Sequence, residues 1–278
     1  MCIISGPVKG VAETQIFVGC DKHRSRQITI YGNKVENISQ GNAMVLPVPY
    51  PDTVELIDLS KYKDIFKDCA RDFYNDNLAF GQYSNSDGFR SNSTLAVFNV
   101  GSYAMSIAHG LSDLDRVDRS VFTLYPECRR VLSSHYSAPY WGFIICQLRS
   151  GNHKYHPVAY SHATLKGQYF IPTLHHHAHG ASSWANANDG DWDHTIYVQN
   201  GVNVKQVVAA GKELKPWQNW GYDVNNNDEY KWKGTCSVDK TRLPFPLSNT
   251  RCFDRIDISG VYKNIDLYVP IRPRGAAI

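Results

Sequence analysis

Histidine is the residue type in this sequence with both the densest clustering and the widest chemical scope. Of eleven His in 278 residues, eight lie between His153 and His194, and they include Leu174-His175-His176-His177-Ala178-His179-Gly180. Imidazole titrates near neutrality and is a common ligand of divalent metals, so this density points to metal binding or proton transfer. In an extended segment residues two apart face the same way, which puts His175, His177 and His179 on one face and His176 on the other. Downstream, Asp191-Trp192-Asp193-His194 precedes an apolar strand pattern. The expected site has His175, His177 and His194 holding a divalent metal of the zinc or iron class, with Asp191 or Asp193 as base or orienting carboxylate. Three protein ligands and a water form an open, Lewis-acidic centre that activates water near neutral pH. His162, on a neighbouring strand, is a further candidate ligand. The competing reading of the segment is a solvated, partly protonated loop, because Gly180, Ser182, Ser183, Asn186, Asn188 and Gly190 follow it. Taken singly, His153, His156 and His162 carry no functional role, and His109 and His135, away from the cluster, read as packed or capped residues.

Cys2 is the second chemical candidate. Removal of Met1 would leave an α-amine and a thiol on one residue, and such an amine can serve as base for its own nucleophile. Cys2 reads equally as a small apolar residue at the start of a buried strand, since free Cys is among the most buried residue types.

The elements that would position these groups are mostly strands. Runs at Cys2 to Ser5, Thr14 to Val18, Gln27 to Tyr31 and Ala43 to Val48 are separated by Gly, Pro and Asn, and Pro47, Pro49 and Pro51 end the last of them. Tyr62, Ile65, Phe66, Cys69 and Phe73 share a helix face, and Pro126 opens a second helix with Cys128, Val131 and Leu132 inward. Further strands are expected at Leu95 to Ile107, Trp141 to Leu148, Pro157 to Ser161, Gln168 to Thr173, His194 to Gln199 and Val261 to Ile271, with a tight turn at Gly151-Asn152. The pattern predicts an α+β fold, mainly antiparallel sheet with two or three helices, as one domain over 1–278 compatible with an αββα sandwich. A polar loop near 83–93 and a Trp/Asn-rich stretch at 215–235 read as insertions.

Composition narrows the partners. Lys+Arg 29 against Asp+Glu 26 gives a formal charge of +3, too small for an electrostatic footprint on nucleic acid. No apolar run approaches the roughly 18 residues of a membrane span, and no Gly-x-Gly-x-x-Gly or phosphate loop implies a nucleotide cofactor. Seven scattered cysteines without a C-x-x-C pair, and no secretory signal, read as reduced thiols in a cytoplasmic compartment. Trp184, Trp192, Trp217, Trp220 and Trp232, all in polar context, read as loop anchors or as a contact surface.

Two resemblances add to this. Met1-Cys2-Ile3-Ile4, Ile30 to Glu36 and the strand Ala43 to Val48 resemble the opening of the N-terminal-nucleophile cysteine hydrolases, which implies an amidohydrolase with Cys2 as nucleophile. Asn33 and Lys34 stand where that family's turn carries arginine and aspartate. The succession Met1-Cys2-x-x-Ser5-Gly6-Pro7-Val8, Phe170-Ile171-Pro172-Thr173-x-His175-x-His177 and Asp193-His194-x-Ile196-Tyr197 is similar to a family of uncharacterised bacterial proteins; it implies one domain and no particular activity. Three functions follow as expectations: a metal-assisted hydrolase of a small polar substrate, a Cys2 amidohydrolase, or a non-enzymatic binding or assembly subunit. The last has a protein partner or a second copy of the chain and a pH-sensitive histidine interface.

Overall fold

The computed structural model describes residues 3–71, 94–179, 183–184, 189–199, 208–209, 212–213, 233–234, 243, 247 and 253–271. In chain order β1 (Ile3–Ile4), β2 (Val8–Cys20), β3 (Arg26–Asn37), β4 (Ala43–Pro49) and β5 (Glu55–Ile57) precede α1 (Ile65–Arg71). Next come β6 (Phe98–Val100), β7 (Tyr103–Ala108), α2 (Pro126–His135), β8 (Trp141–Gln147), β9 (Gly151–Lys154), β10 (Val158–Ala163) and β11 (Gln168–Ile171). The remaining strands are β12 (Ala178–His179), β13 (Ser183–Trp184), β14 (Asp189–Gln199), β15 (Val208–Ala209), β16 (Lys212–Glu213), β17 (Lys233–Gly234), β18 (Phe253–Lys263) and β19 (Leu267–Pro270).

These strands form a five-stranded sheet ordered β1-β4-β8-β7-β6 and a four-stranded sheet ordered β11-β19-β15-β16. A ten-stranded sheet follows the path β17-β18-β14-β2-β3-β10-β5, with β9, β12 and β13 off it. Among the described residues the strand ladders are antiparallel except where β2 meets β12 and β14. The expected α+β architecture on mainly antiparallel sheet is what forms.

Strand alternation explains the packing. Ile4, Met44, Leu46 and Ile144 project from the five-stranded sheet into a cluster shared with Val18, Tyr31, Val158 and Ile196 of the ten-stranded sheet and Tyr169 and Leu267 of the four-stranded one. Their alternating neighbours Ile3, Val45, Phe143 and Ile145 point the other way, onto Val131 and Leu132 of α2. On the ten-stranded sheet, Phe17, Ile28, Ile30 and Tyr197 pack against Ile65, Phe66 and Cys69 of α1. Strands β4 and β8 read as continuous apolar runs because both of their faces are covered.

Several local expectations are corrected. Pro47 and Pro49 lie inside β4: β1 pairs only with Met44 and Val45, so beyond it β4 is laddered to β8 alone and an imide without N–H is tolerated on the other side. The single strand expected over Leu95 to Ile107 is the β6–β7 hairpin, turned at Gly101-Ser102. Gly151-Asn152 is strand, paired to β3, and not a tight turn. The strand expected from Val261 to Ile271 is broken at residues 264–266. The segment 83–93, and 215–235 apart from Lys233–Gly234, lie outside the described residues. No described helix is long and apolar enough to cross a membrane.

Candidate functional site

The histidine segment follows β11, which stops where Pro172 removes a ladder donor. Beyond it the backbone is held by two side chains from the break between β18 and β19. Asn264 Oδ1 accepts from the His175 N–H (2.9 Å), and its Nδ2 donates to the His175 carbonyl (2.6 Å). Asp266 Oδ1 accepts from the N–H groups of Thr173 and Leu174 (2.9 Å each), and its Oδ2 accepts from the Tyr136 hydroxyl (2.5 Å). The Ile4 N–H donates to the His176 carbonyl at 2.9 Å, and Ile3 pairs with His176 in a parallel bridge. Amide and carboxylate thus satisfy backbone donors that a ladder would otherwise take. Burial pushes the Asp266 carboxyl up to about 6, against the pull of those same donors.

The rings alternate as the extended geometry requires. His175 and His177 stack with centroids 5.7 Å apart at 20°, and His175 and His194 with centroids 6.4 Å apart at 26°. Trp192 packs 4.7 Å from His194. His176 turns the other way, to where Glu127, Arg130 and His135 act on it; burial is what chiefly lowers its basicity. Exposures of 9% for His175, 7% for His176 and His177 and 1% for His194 overturn the solvated-loop reading. Burial, with His175 as a neighbour of the same potential charge, holds His194 well below the usual imidazole range.

The arrangement brings the rings of the three predicted ligands, His175, His177 and His194, together in one buried cluster. Among the described residues no group of three or more His, Cys, Asp or Glu is placed to hold a metal ion. Asp193 does not orient His194 either. The two are consecutive in β14 and point to opposite faces, and Asp193 Oδ1 lies 3.9 Å from His194 Nδ1, beyond a hydrogen bond. The Asp193 carboxyl is raised, chiefly by burial. Asp191 shares that strand, its side chain outside the described residues. His162 is fully buried in β10, stacks on Tyr160 and donates from Nδ1 to the Ala163 carbonyl (2.8 Å); burial lowers it to about 4.

Cys2 lies outside the described residues, while Ile3 beside it is fully buried against His176. Ile30 to Glu36, where the N-terminal-nucleophile resemblance implied a turn, run inside β3, with Lys34 paired to Glu13 at 3.5 Å. Trp192, expected in a polar context, is 2% exposed. Sequence reasoning missed Asn264, Asp266 and Tyr136. The only signal was Asn264-Ile265-Asp266, two polar residues in alternation inside an apolar run.

No family model matches the chain. Among solved structures it is similar to the crystal structure of baculovirus P35, at 14% identity over 97% of this chain and 94% of that one, with a TM-score of 0.45. It is also similar to a caspase-8/P35 complex, at 12% identity over 94% of this chain and 91% of that one, with a TM-score of 0.42.

Proposed function

We propose that this chain is a non-enzymatic binding module acting through protein–protein contact. The observation that carries this is the backbone of Tyr50, left-handed at φ 54°, ψ 61°. A non-glycine residue there stores about 1–3 kcal/mol, and such strain persists where the surroundings over-determine it, often at binding surfaces. Here the Tyr50 N–H donates to the Tyr140 carbonyl (2.7 Å), and its own carbonyl accepts from the Thr53 N–H and hydroxyl. The Tyr50 and Tyr140 rings lie 6.0 Å apart. Tyr140 is 37% exposed, one of two exposed large hydrophobic residues among those described. Behind it Trp141, Phe170 and Tyr268 continue the ring contacts inward at 5.3, 4.8 and 5.6 Å. A rigid tyrosine surface backed by core aromatics has the composition of a protein contact site. We read the helix layers over the two larger sheets as one αββα sandwich domain that presents it.

The test is sedimentation velocity on the purified full chain over a range of concentrations at pH 7.5, with binding to purified caspase-8 as the heterologous arm. Self-association or caspase-8 binding that weakens at least tenfold in Tyr140→Glu, with an unchanged circular dichroism spectrum, is the expected result. A strict monomer that binds no caspase-8 overturns it. Stoichiometric metal in untagged protein, lost in His175→Ala and His177→Ala, would favour the hydrolase reading instead. The second reading is Cys2 as nucleophile of an amidohydrolase. Intact mass tests it, since a retained Met1 excludes a free Cys2 amine.

A further inference from the structure

We propose that His156 is a proton-operated latch that ties the edge hairpin of the five-stranded sheet to the segment leading into β10 of the ten-stranded sheet. Strand β6 ends one sheet and β5 ends the main path of the other. His156 is 6% exposed and lies just before β10, the strand that pairs with β5. Its Nε2 accepts from the Ser102 N–H in the β6–β7 turn at 2.8 Å, and its Nδ1 donates to the Pro157 carbonyl at 3.0 Å. A ring that accepts at one nitrogen and donates at the other is the neutral Nδ1–H tautomer. Tyr103, the first residue of β7, packs edge-on to the ring at 5.0 Å, and its hydroxyl donates to the His156 carbonyl at 3.0 Å.

The turn is shaped around this ring. Gly101 has φ +59°, and a Cβ there would meet His156 Nε2 at 2.2 Å and Asp58 Oδ1 at 2.9 Å. Only glycine serves, for backbone and space alike. The same two distances show that the Asp58 carboxylate, just after β5, faces the volume that Nε2 faces.

A proton taken from water by the Nε2 lone pair turns that nitrogen from acceptor into donor. The Ser102 N–H then opposes another N–H and the bond is lost, with no covalent bond broken. The charged ring has other partners: the Asp58 carboxylate and the Val100 carbonyl favour it, while Lys63 opposes it. Arg149, whose guanidinium is 3.5 Å from the Ser102 carbonyl, is the other charge at the turn, and Tyr103 and Tyr155 are its neutral neighbours. Burial, the largest influence on the ring, keeps it neutral while the turn is closed. Each protonation state therefore prefers a different arrangement of one hairpin, which is what a switch requires.

Amide exchange and ring 15N shifts, followed by NMR on the full chain between pH 7.5 and 5, test this. After correction for intrinsic exchange, the Ser102 amide is expected to lose protection below about pH 6.5, by up to about tenfold per pH unit, while Ile144 and Ile196 stay protected. Loss of protection by all three together, a Ser102 amide indifferent to the ring's titration, or a ring titrating at or above the ordinary imidazole value would each overturn the latch. In His156→Gln, which keeps an acceptor but cannot titrate, Ser102 protection is expected to be flat with pH. Asp58→Asn removes a partner of the charged ring and is expected to move the opening to lower pH, an effect that a purely structural role for His156 would not produce. Gly101→Ala is expected to lower Ser102 protection at every pH.

Discussion

Asp266→Ala is expected to cost on the order of 3–6 kcal/mol, the largest effect of any single substitution in the histidine site. It orphans three donors at once, the N–H groups of Thr173 and Leu174 and the Tyr136 hydroxyl, in a pocket where Asp266 is 7% exposed. Each buried, unsatisfied donor costs about 1–3 kcal/mol, against a whole-domain stability of about 5–15 kcal/mol. Urea denaturation of the two proteins at pH 7.5 measures it, and a loss below about 1 kcal/mol would mean that water or a rearranged segment replaces the carboxylate. Asp266→Asn separates the hydrogen bonds from the charge. Its Oδ1 keeps both N–H donors, and the Tyr136 hydroxyl can rotate to accept from Nδ2. The folded carboxyl titrates at about 6, above its ordinary 3.8. Its stabilisation is therefore fully present below about pH 3.8 and lost as pH rises through 6. The Asn variant should accordingly gain on the parent, by on the order of 2–3 kcal/mol, between pH 4 and 7.5.

Acid is expected to unfold the chain for the opposite reason. His162 is fully buried and lowered to about 4, and His194, His176 and His156 are all lowered with burial as the leading cause. A histidine whose folded pKa is depressed binds protons more readily when unfolded. Stability is therefore intact above about pH 6.5 and falls as pH drops toward the folded value. His162 alone contributes a loss of about 3 kcal/mol across that window, and several such rings outweigh the opposing gain from Asp266. Thermal melting between pH 7.5 and 4.5 should show a steep fall in Tm, with uptake of more than one proton at the transition. In His162→Phe, which keeps an aromatic ring stacked on Tyr160, the slope should shrink. A Tm flat to pH 5 would contradict the burial of these rings.

Much of this arrangement was legible in the sequence. Short apolar runs bounded by Gly, Pro and Asn placed β2, β3, β4, β8, β10, β11 and β14 close to where they form, because strand propensity and turn punctuation are local. Pro126 marked the start of α2 for an equally local reason, its own missing donor. Strand alternation put His175 and His177 on one side and His176 on the other, and the stacked rings agree. Chain breaks were harder. The β6–β7 turn rests on Gly101 in a left-handed backbone and the gap at Asn264 to Asp266 on two polar residues, and in both places a partner from elsewhere holds the break, His156 in one case and the histidine backbone in the other.

By itself, then, the sequence determined the α+β class, most strand positions and which histidines share a face, because these follow from backbone geometry within a few residues. Only the tertiary structure decided that those histidines are buried and stacked and that the Asp193 carboxylate stops 3.9 Å from His194 Nδ1. It alone decided that Asn264, Asp266 and Ile4 hold the segment, and that His156, which carries no assigned role in the sequence, bonds to the turn of a hairpin. Burial, ring orientation and side-chain-to-backbone bonds join residues as far as 179 positions apart, as the Cys20 N–H and Gln199 Oε1 show, and no local pattern encodes such a separation.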